Sequence, residues 1–424
     1  MRRSSNGTFV RNYVLAFLQK QKGKSAWAIA MEVVLRGISL LIFPVAYVTL
    51  ATCALVKPIR LGFLYHERLG HLALNTDLYL RRRHLGLIPR NEIHIFFIYA
   101  PANRQLVKMF SRQMLLIDST VLAKILAPIG LLRTRFWIPL PFLGNEYKEF
   151  NSAPPQIAFT TAEEERGREF LRRMGIGPAD WYVCIFARDH RYYRTFSPHT
   201  DIAFSDHRNA DIDSYDLAIQ TILDAGGWVI RMGSCVEKPL RFKHSRVIDY
   251  ASSFREDFAD VYLTAHARFF IGTTSGASDL AVLFDVPFVG VNWVPVGYAP
   301  FGRNAIFIPK RIVERKRDGQ VPMRHQLEAF TGNQVSAAII PEELLRERSW
   351  RFVDNTSQEI ADAAREMLER LDGRFCDSDP CYLRALARYR AILPEKNIYR
   401  ANRSPMGRNM LLSIDLEDEE QRFG

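Results

Sequence analysis

Between Arg36 and Lys57 the chain holds GISLLIFPVAYVTLATCALV, twenty residues (Gly37–Val56) without a charge. As a helix, such a run reaches about 30 Å, the thickness of a bilayer's hydrocarbon core. It must therefore be covered by lipid or by protein. Three readings are open: a span, a Pro44-bent segment lying in one leaflet, or a buried core helix. Residues 1–36 carry Arg2, Arg3, Arg11, Lys20, Lys22, Lys24 and Arg36 against Glu32 alone, a net +6. A basic arm just before an apolar run is drawn to anionic lipid, although it could equally be a solubilising tail. The arm is too long for a secretory signal, and LATC at Leu50–Cys53 fits a lipoprotein cleavage box poorly at Thr52.

The rest of the chain reads as globular. Its 424 residues suffice for two domains with extra segments at the ends, and 48% of them are hydrophobic. Despite a formal charge of +11, nucleic acid is not an expected partner, because zinc-finger spacing and aromatic RNA-binding signatures are missing from the sequence. Five cysteines (Cys53, Cys184, Cys235, Cys376, Cys381) contain no CxxC. Cys376 and Cys381 are close enough to pair, but a disulfide framework is not expected, which fits a reducing cytoplasm.

Strand and helix patterns alternate: IRLGFL, then HLALNTDLYLRR, then EIHIFFIYA, then NRQLVKMFSR. The second half is more regular. It runs from WYVCIFAR through DIDSYDLAIQTILDAG, WVIRMGS, FREDFADVYLTAHA, RFFIG, SGASDLAVLF and PFVGVNW to a long connection. A last helix follows, with Thr356 and Glu359 spaced as a capping box. The alternation predicts an α/β fold with parallel sheets. The expected organisation is a basic arm and membrane-associated helix over 1–57 and a Rossmann-like acceptor domain over 58–160. A Rossmann-like nucleotide-sugar domain over 161–375 and a C-terminal helix with an acidic tail over 376–424 complete it.

In open α/β sheets, ligands bind beyond the carboxyl ends of the strands. Three such ends carry unusual residues. FFIGTTSGASDL places Gly272, Thr273, Thr274, Ser275 and Gly276 at the mouth of a helix, where small residues and unpaired N–H groups suit a phosphate. The same turn is common in α/β proteins as a plain capped connection. It is neither a Walker loop nor a GxGxxG fingerprint. Asp279, early in that helix, favours the macrodipole or accepts a bond from a sugar or ribose hydroxyl. In IRMGS, Arg231 precedes Gly233, with Lys238 close behind, as a cation for a diphosphate leaving group or as a structural ion-pair partner. WYVCIFAR ends in Arg188, with Asp189 next, then a long loop with His190, Tyr192, Tyr193, His199, His207 and Arg208; Asp211 precedes a helix, and Asp211 or Asp213 could be only its cap. The His spacings match no metal pattern, so a metal is not expected. In the first half, Arg68, Gly70, His71, Asn75 and Asp77 follow the first strand. His71 or Asp77 is a candidate general base; a lone His near a helix start is more often structural.

The ordered set RLGHLALNTDLYLR, RNADIDSYDLAI, VIRMGSCVEKPL, FFIGTTSGASDLAVLFDVPFVGVNWVPVGY and FVDNTSQEI resembles a family of bacterial glycosyltransferases associated with surface-polysaccharide and lipopolysaccharide gene clusters. The resemblance covers residues 58–375 and is strongest over 181–300. The strand–GTTSG–helix unit is similar to the phosphate-binding turn of heptosyltransferase-type enzymes with the GT-B fold. It implies two Rossmann-like domains facing across a cleft, a nucleotide-sugar donor as co-substrate with no other cofactor, and transfer without an essential metal. The implied donor-binding set is Arg188, Arg231, Gly233, Lys238, Thr274, Ser275, Gly276 and Asp279. The implied catalytic candidates are His71, Asp77, Asp189 and His190. Arg68, Asn75, Arg208 and Asp211 fall to a glycan or lipid-linked acceptor. The family pattern has a His where this chain has Phe186, and His190 is the nearby substitute. A simple span of Gly37–Val56 would put these domains outside the cell by the charge asymmetry, away from sugar nucleotides. Attachment to the cytoplasmic face of the bacterial inner membrane is therefore expected. Two rivals remain. A sugar-nucleotide 2-epimerase would carry a DSGG turn followed by paired Glu residues, whereas here Ser278, Asp279 and Leu280 follow the turn. A non-catalytic glycan-binding subunit of a polysaccharide assembly complex gains weight from Phe186.

Overall fold

The computed structural model describes residues 25–132, 134–140, 142, 144, 146–196, 203–316, 319–330, 340, 342–393, 402 and 404–414. The basic residues at positions 2 to 24, His199, the side chains of Tyr192 and Tyr193, and the acidic tail from 415 on lie outside the described residues. The chain divides into two compact units that interleave in sequence. One comprises Met1–Phe63, Arg90–Ala100 and Met114–Pro139, and the other Leu64–Pro89, Pro101–Gln113 and Leu140–Gly424.

In the first unit, helix α1 (Ala26–Cys53) precedes a sheet of four parallel strands. These are β1 (Ile59–Phe63), β2 (Ile93–Ile98), β3 (Leu115–Asp118) and β4 (Trp137–Ile138), in the order β3-β2-β1-β4. Helices α2 (Leu69–His84) and α3 (Arg104–Phe110) connect the strands in sequence but pack within the second unit. Helix α4 (Thr120–Leu131) lies against β1, β2 and α1. Leu50, Leu61, Phe97, Ala123, Ile129 and Phe136 form this unit's core. Ser39, buried on α1, donates to the Ile125 carbonyl at 2.9 Å. Pro44 sits inside α1 without ending it. Of the described helices, α1 alone is long and apolar enough to cross a membrane, and little of it is buried.

The second unit holds α5 (Thr161–Arg173), β5 (Tyr182–Phe186), α6 (Asp216–Asp224), β6 (Trp228–Arg231), β7 (Val247–Ile248) and α7 (Asp257–Ala265). Next come β8 (Phe269–Gly272), α8 (Gly276–Leu283), β9 (Phe288–Trp293) and β10 (Ala305–Pro309). The six strands are parallel in the order β10-β9-β8-β5-β6-β7. The chain starts at β5, steps out through β6 to β7, then returns to β8 on the other flank of β5. The strand order thus reverses between β5 and β8, where such sheets open a crevice beyond their carboxyl ends. Val183, Cys184, Ile185, Phe269, Phe270, Ile271 and Phe288 are buried on both faces, as a sheet covered by helices requires. Burial pushes the Cys184 thiol far up, so it is an inert core residue.

The long connection expected after β9 is structured. It contains β10, an antiparallel pair of β11 (Arg311–Glu314) with β12 (Trp350–Val353), and a helical stretch over Met323–Phe330. Only five residues long and bounded by a loop and Pro309, β10 lacks the flanking signals that made β5 and β8 readable. Helix α9 (Ser357–Leu371) starts with the expected capping box: Thr356 Oγ1 accepts from Glu359 N–H at 3.2 Å, and Glu359 Oε2 accepts from Thr356 N–H at 2.8 Å.

Candidate functional site

The mouth of the β5/β8 crevice is built from backbone and short side chains. Phe186, where the resemblance implies a His, is the last residue of β5, opposite Gly272 on β8. The Phe186 carbonyl accepts from the Tyr215 hydroxyl at 3.1 Å. Thr273 Oγ1 accepts from Arg188 N–H at 3.1 Å, which ties the two strand ends together. Thr274 Oγ1 donates to the Val294 carbonyl at 3.3 Å, and Ser278 Oγ donates to the Thr273 carbonyl at 2.6 Å. Ser275 is the N-cap of α8, its Oγ accepting from Ser278 N–H at 3.3 Å. The turn's side chains hold the turn itself. The N–H groups of Gly276 and Ala277 are those that a helix start leaves over for an outside acceptor.

A second helix start meets the first. A Cβ added at Gly276 would lie 2.7 Å from Gly70 N and 3.2 Å from Gly70 Cα. A Cβ added at Gly70 would lie 2.2 Å from Asp279 Oδ2 and 2.9 Å from Gly276 Cα. Both contacts involve backbone, so glycine at each position is what lets α2 and α8 touch at their N-termini. The turn's glycine thus has a packing role that the sequence reading did not assign.

Asp279 is half-buried at this junction. Burial pushes its carboxyl up to about 7, against the pull of Arg208. Arg208, expected on the acceptor side, is therefore the cation beside the α8 start. Arg188, Arg208 and Lys310 also surround His207. Burial, then Arg208, Arg188 and Lys310 in turn, drive the His207 imidazole down to about 3 and keep it neutral. Lys310 is buried after β10, its Nζ donating to the Asn209 carbonyl and to Asp354 Oδ1 at 2.6 Å each. The Arg188 guanidinium bonds Asn209 Oδ1. Lys310, Asn209 and Asp354 went unnoticed in the sequence. Only recognition of β10 as a strand, with Lys310 at its carboxyl end, could have exposed the lysine.

Several expected residues sit elsewhere. Arg231 is buried, paired with Asp249 Oδ1 at 3.1 Å and donating to the Lys238 carbonyl at 3.3 Å, so it fastens the loop after β6. Lys238 is engaged by Asp211 at 2.6 Å and Asp213 at 2.5 Å, and these hydrogen bonds raise its pKa. Asp211 also caps the turn that follows, accepting from Asp213 N–H at 2.9 Å. Asp189 accepts backbone N–H groups of Arg191 and Glu237, at 2.9 Å each, and is a loop staple. His190 lies against Asn209 and 3.3 Å from Asp206. Gly233 has φ +149 and no room for a Cβ beside Val236.

Asp77 is fully buried on α2, paired with Arg81 Nε at 2.5 Å. Arg81 also donates to the carbonyls of Ala153 at 2.5 Å and Leu283 at 3.3 Å. Asp77 is thus an anchor of α2, buried away from solvent. His71, by contrast, is exposed in the first turn of α2, next to Gly70. Its Nδ1 lies 3.2 Å from Asn75 Oδ1. Asn75 Nδ2 donates to the Leu140 carbonyl at 2.8 Å, which fixes Oδ1 as the atom facing the imidazole. His71 Nδ1 then carries the proton and Nε2 the lone pair. Arg68, the N-cap of α2, is exposed beside it.

No family model and no curated protein matches the chain. Solved structures do. The Escherichia coli ADP-heptose LPS heptosyltransferase II is 13% identical, covering 74% of this chain and 100% of its own, with a TM-score of 0.44. A family 9 glycosyl transferase from Veillonella parvula is 12% identical over 74% and 98%, with a TM-score of 0.45. The E. coli heptosyltransferase WaaC with an ADP-2-deoxy-2-fluoro heptose is 15% identical over 59% and 93%, with a TM-score of 0.31.

Proposed function

We propose that this chain is a glycosyltransferase of the GT-B type that takes a nucleoside-diphosphate sugar at the β5/β8 crevice. The carrying observation is the convergence there of two helix N-termini with Arg188 and Arg208. Fixed N–H dipoles and guanidinium groups supply the positive potential that a departing diphosphate needs, with no reorganisation at the moment of transfer. In the proposed step an acceptor hydroxyl oxygen bonds to the anomeric carbon. The bond from that carbon to the diphosphate oxygen breaks, and its electron pair leaves with the diphosphate. The hydroxyl proton passes to His71 Nε2, whose lone pair is directed by Asn75. Asn75 is then a positioning residue. Asp279 accepts a hydroxyl of the donor sugar or ribose. Because the cations come from the chain itself, transfer is expected to survive EDTA.

The acceptor proposed is a glycan or lipid-linked glycan of bacterial surface-polysaccharide or lipopolysaccharide synthesis, at the cytoplasmic face of the inner membrane. The order of the motifs around GTTSG supports that reading, and the apolar α1 supports the location. A 2-epimerase is disfavoured by Ser278, Asp279 and Leu280, which follow the turn where it would carry paired Glu residues. The test is a thermal-shift panel of UDP-, GDP-, CMP- and ADP-linked sugars. One class should raise the melting temperature, and Arg208→Ala should abolish the shift. If none stabilises the fold, the donor site is refuted.

A further inference from the structure

We propose that α1 does not cross the bilayer but lies along it, with one apolar face sunk in a single leaflet of anionic phospholipid. This rests on the membrane attachment proposed above and not on the transferase reading. The helix has two unlike faces. Glu32, Ser39, Phe43 and Leu50 face inward: Glu32 pairs with Lys124 at 3.8 Å, Ser39 bonds the Ile125 carbonyl, and Phe43 and Leu50 join the core of the first unit. Val33, Val34, Leu40, Leu41, Val45 and Val48 are all more than half exposed. At 100° per residue these six fall within one arc on the opposite side. Leu55 and Val56, at 85% and 94%, prolong the apolar surface past the end of the helix.

The inward contacts decide the orientation. Ser39, Phe43, Tyr47 and Leu50 are spread along the stretch that would have to sit in hydrocarbon if α1 spanned. Over that stretch they touch α4, Phe136 and, through the shared core, Leu61 of β1 and Phe97 of β2. A span would draw the four-stranded sheet into the lipid, and its edge strands β3 and β4 would have unpaired backbone groups there. Open sheet edges do not occur in the hydrocarbon region. A helix lying in the interface buries the outward arc and leaves the sheet in water. The occupant is assigned by charge: residues 1–24, immediately before α1, contain six basic residues and no acidic one. The same arm on a second copy would repel it, whereas an anionic surface attracts each basic residue near it.

The full chain, with Cys53, Cys235, Cys376 and Cys381 replaced by Ser, is mixed with sealed vesicles of phosphatidylethanolamine and phosphatidylglycerol. Single cysteines at Ser25 and Lys57 are probed with a membrane-impermeant maleimide from outside. Both ends should react, and binding should weaken with salt and be poorer on phosphatidylcholine. Leu41→Asp with Val45→Asp, both on the exposed arc, should cut binding about 10-fold or more with an unchanged thermal transition. Protection of one end only would overturn the proposal in favour of a span. No binding to either vesicle, or a dimer in solution that the double variant makes monomeric, would overturn it as well. Sugar-nucleotide turnover is not read in any arm, so failure of the transferase reading leaves this result intact.

Discussion

Asp279 stands at a point where a carboxylate costs stability. Its ordinary value is 3.8, and burial raises it to about 7 in the folded chain. Between those two pH values the native state holds a proton that the unfolded chain has released. Stability contributed by this group is therefore complete below pH 4 and is lost as pH rises through 7. A shift of this size corresponds to a few kcal/mol at most. Asp279→Asn, which keeps the shape and removes the charge, should raise the melting temperature by roughly 5 °C at pH 8 and change it little at pH 4. The same variant should lose donor-induced stabilisation. A residue kept against its own folding energy is a signature of a working site. A melting temperature at pH 8 equal to that of the wild type would show that the carboxyl is better solvated than its surroundings imply. Asp279 was legible as a candidate because it sits one turn into a helix after a Gly/Ser turn. Its perturbed state was not, because that depends on Gly70, two hundred residues away in sequence. Arg231 stayed ambiguous for the opposite reason: an arginine at a strand end looks the same in sequence whether it faces a crevice or pairs with a carboxylate, as it does here with Asp249.

At the scale of elements, the informative contact is the meeting of α2 and α8. Alternating strand and helix patterns announced both helices, and Arg68 and Ser275 were in view as binding candidates. Packing partners are not periodic, so nothing in either segment said that the two N-termini touch. The order of side-chain anchors explains how the contact is held. Arg81 reaches the Leu283 carbonyl at the far end of α8, Leu74 and Leu78 pack with Val282, and the glycines close the near end. Gly276→Ala puts a methyl group within 2.7 Å of backbone, which cannot swing aside as a side chain would. The variant should be destabilised by about 1–3 kcal/mol and should weaken donor binding together with the proton-accepting role of His71. Asn75→Leu should leave donor binding intact while lowering the transfer rate, since it releases His71 Nδ1. Equal loss of donor binding in both variants would mean that Asn75 acts only through the fold. Strand β10, and with it Lys310, was not legible because AIFI runs straight into Pro309 and lacks a following helix pattern like those that frame YVCIF and FFIG.

For the whole molecule, two parallel α/β sheets were legible from alternation alone, since buried strands such as FFIG and YVCIF leave few other options. The charge-free run also announced itself, yet whether it spans or lies flat depended on what packs beneath it: Ser39, Phe43 and Leu50 on α4 and the first sheet. The proposed function rests on the convergence of residues 68–71, 188–190, 207–209 and 273–279. Each segment is ordinary alone, and together they would make a place for a diphosphate. The most direct measurement is release of nucleoside diphosphate from a sugar nucleotide incubated with the full chain and an acceptor-bearing cell-envelope fraction. The wild type should release it, in the presence of EDTA as well, and Arg208→Ala should be slower by roughly 100-fold or more while retaining its thermal transition. No release from any sugar nucleotide, or equal release by Arg208→Ala, would contradict the assignment.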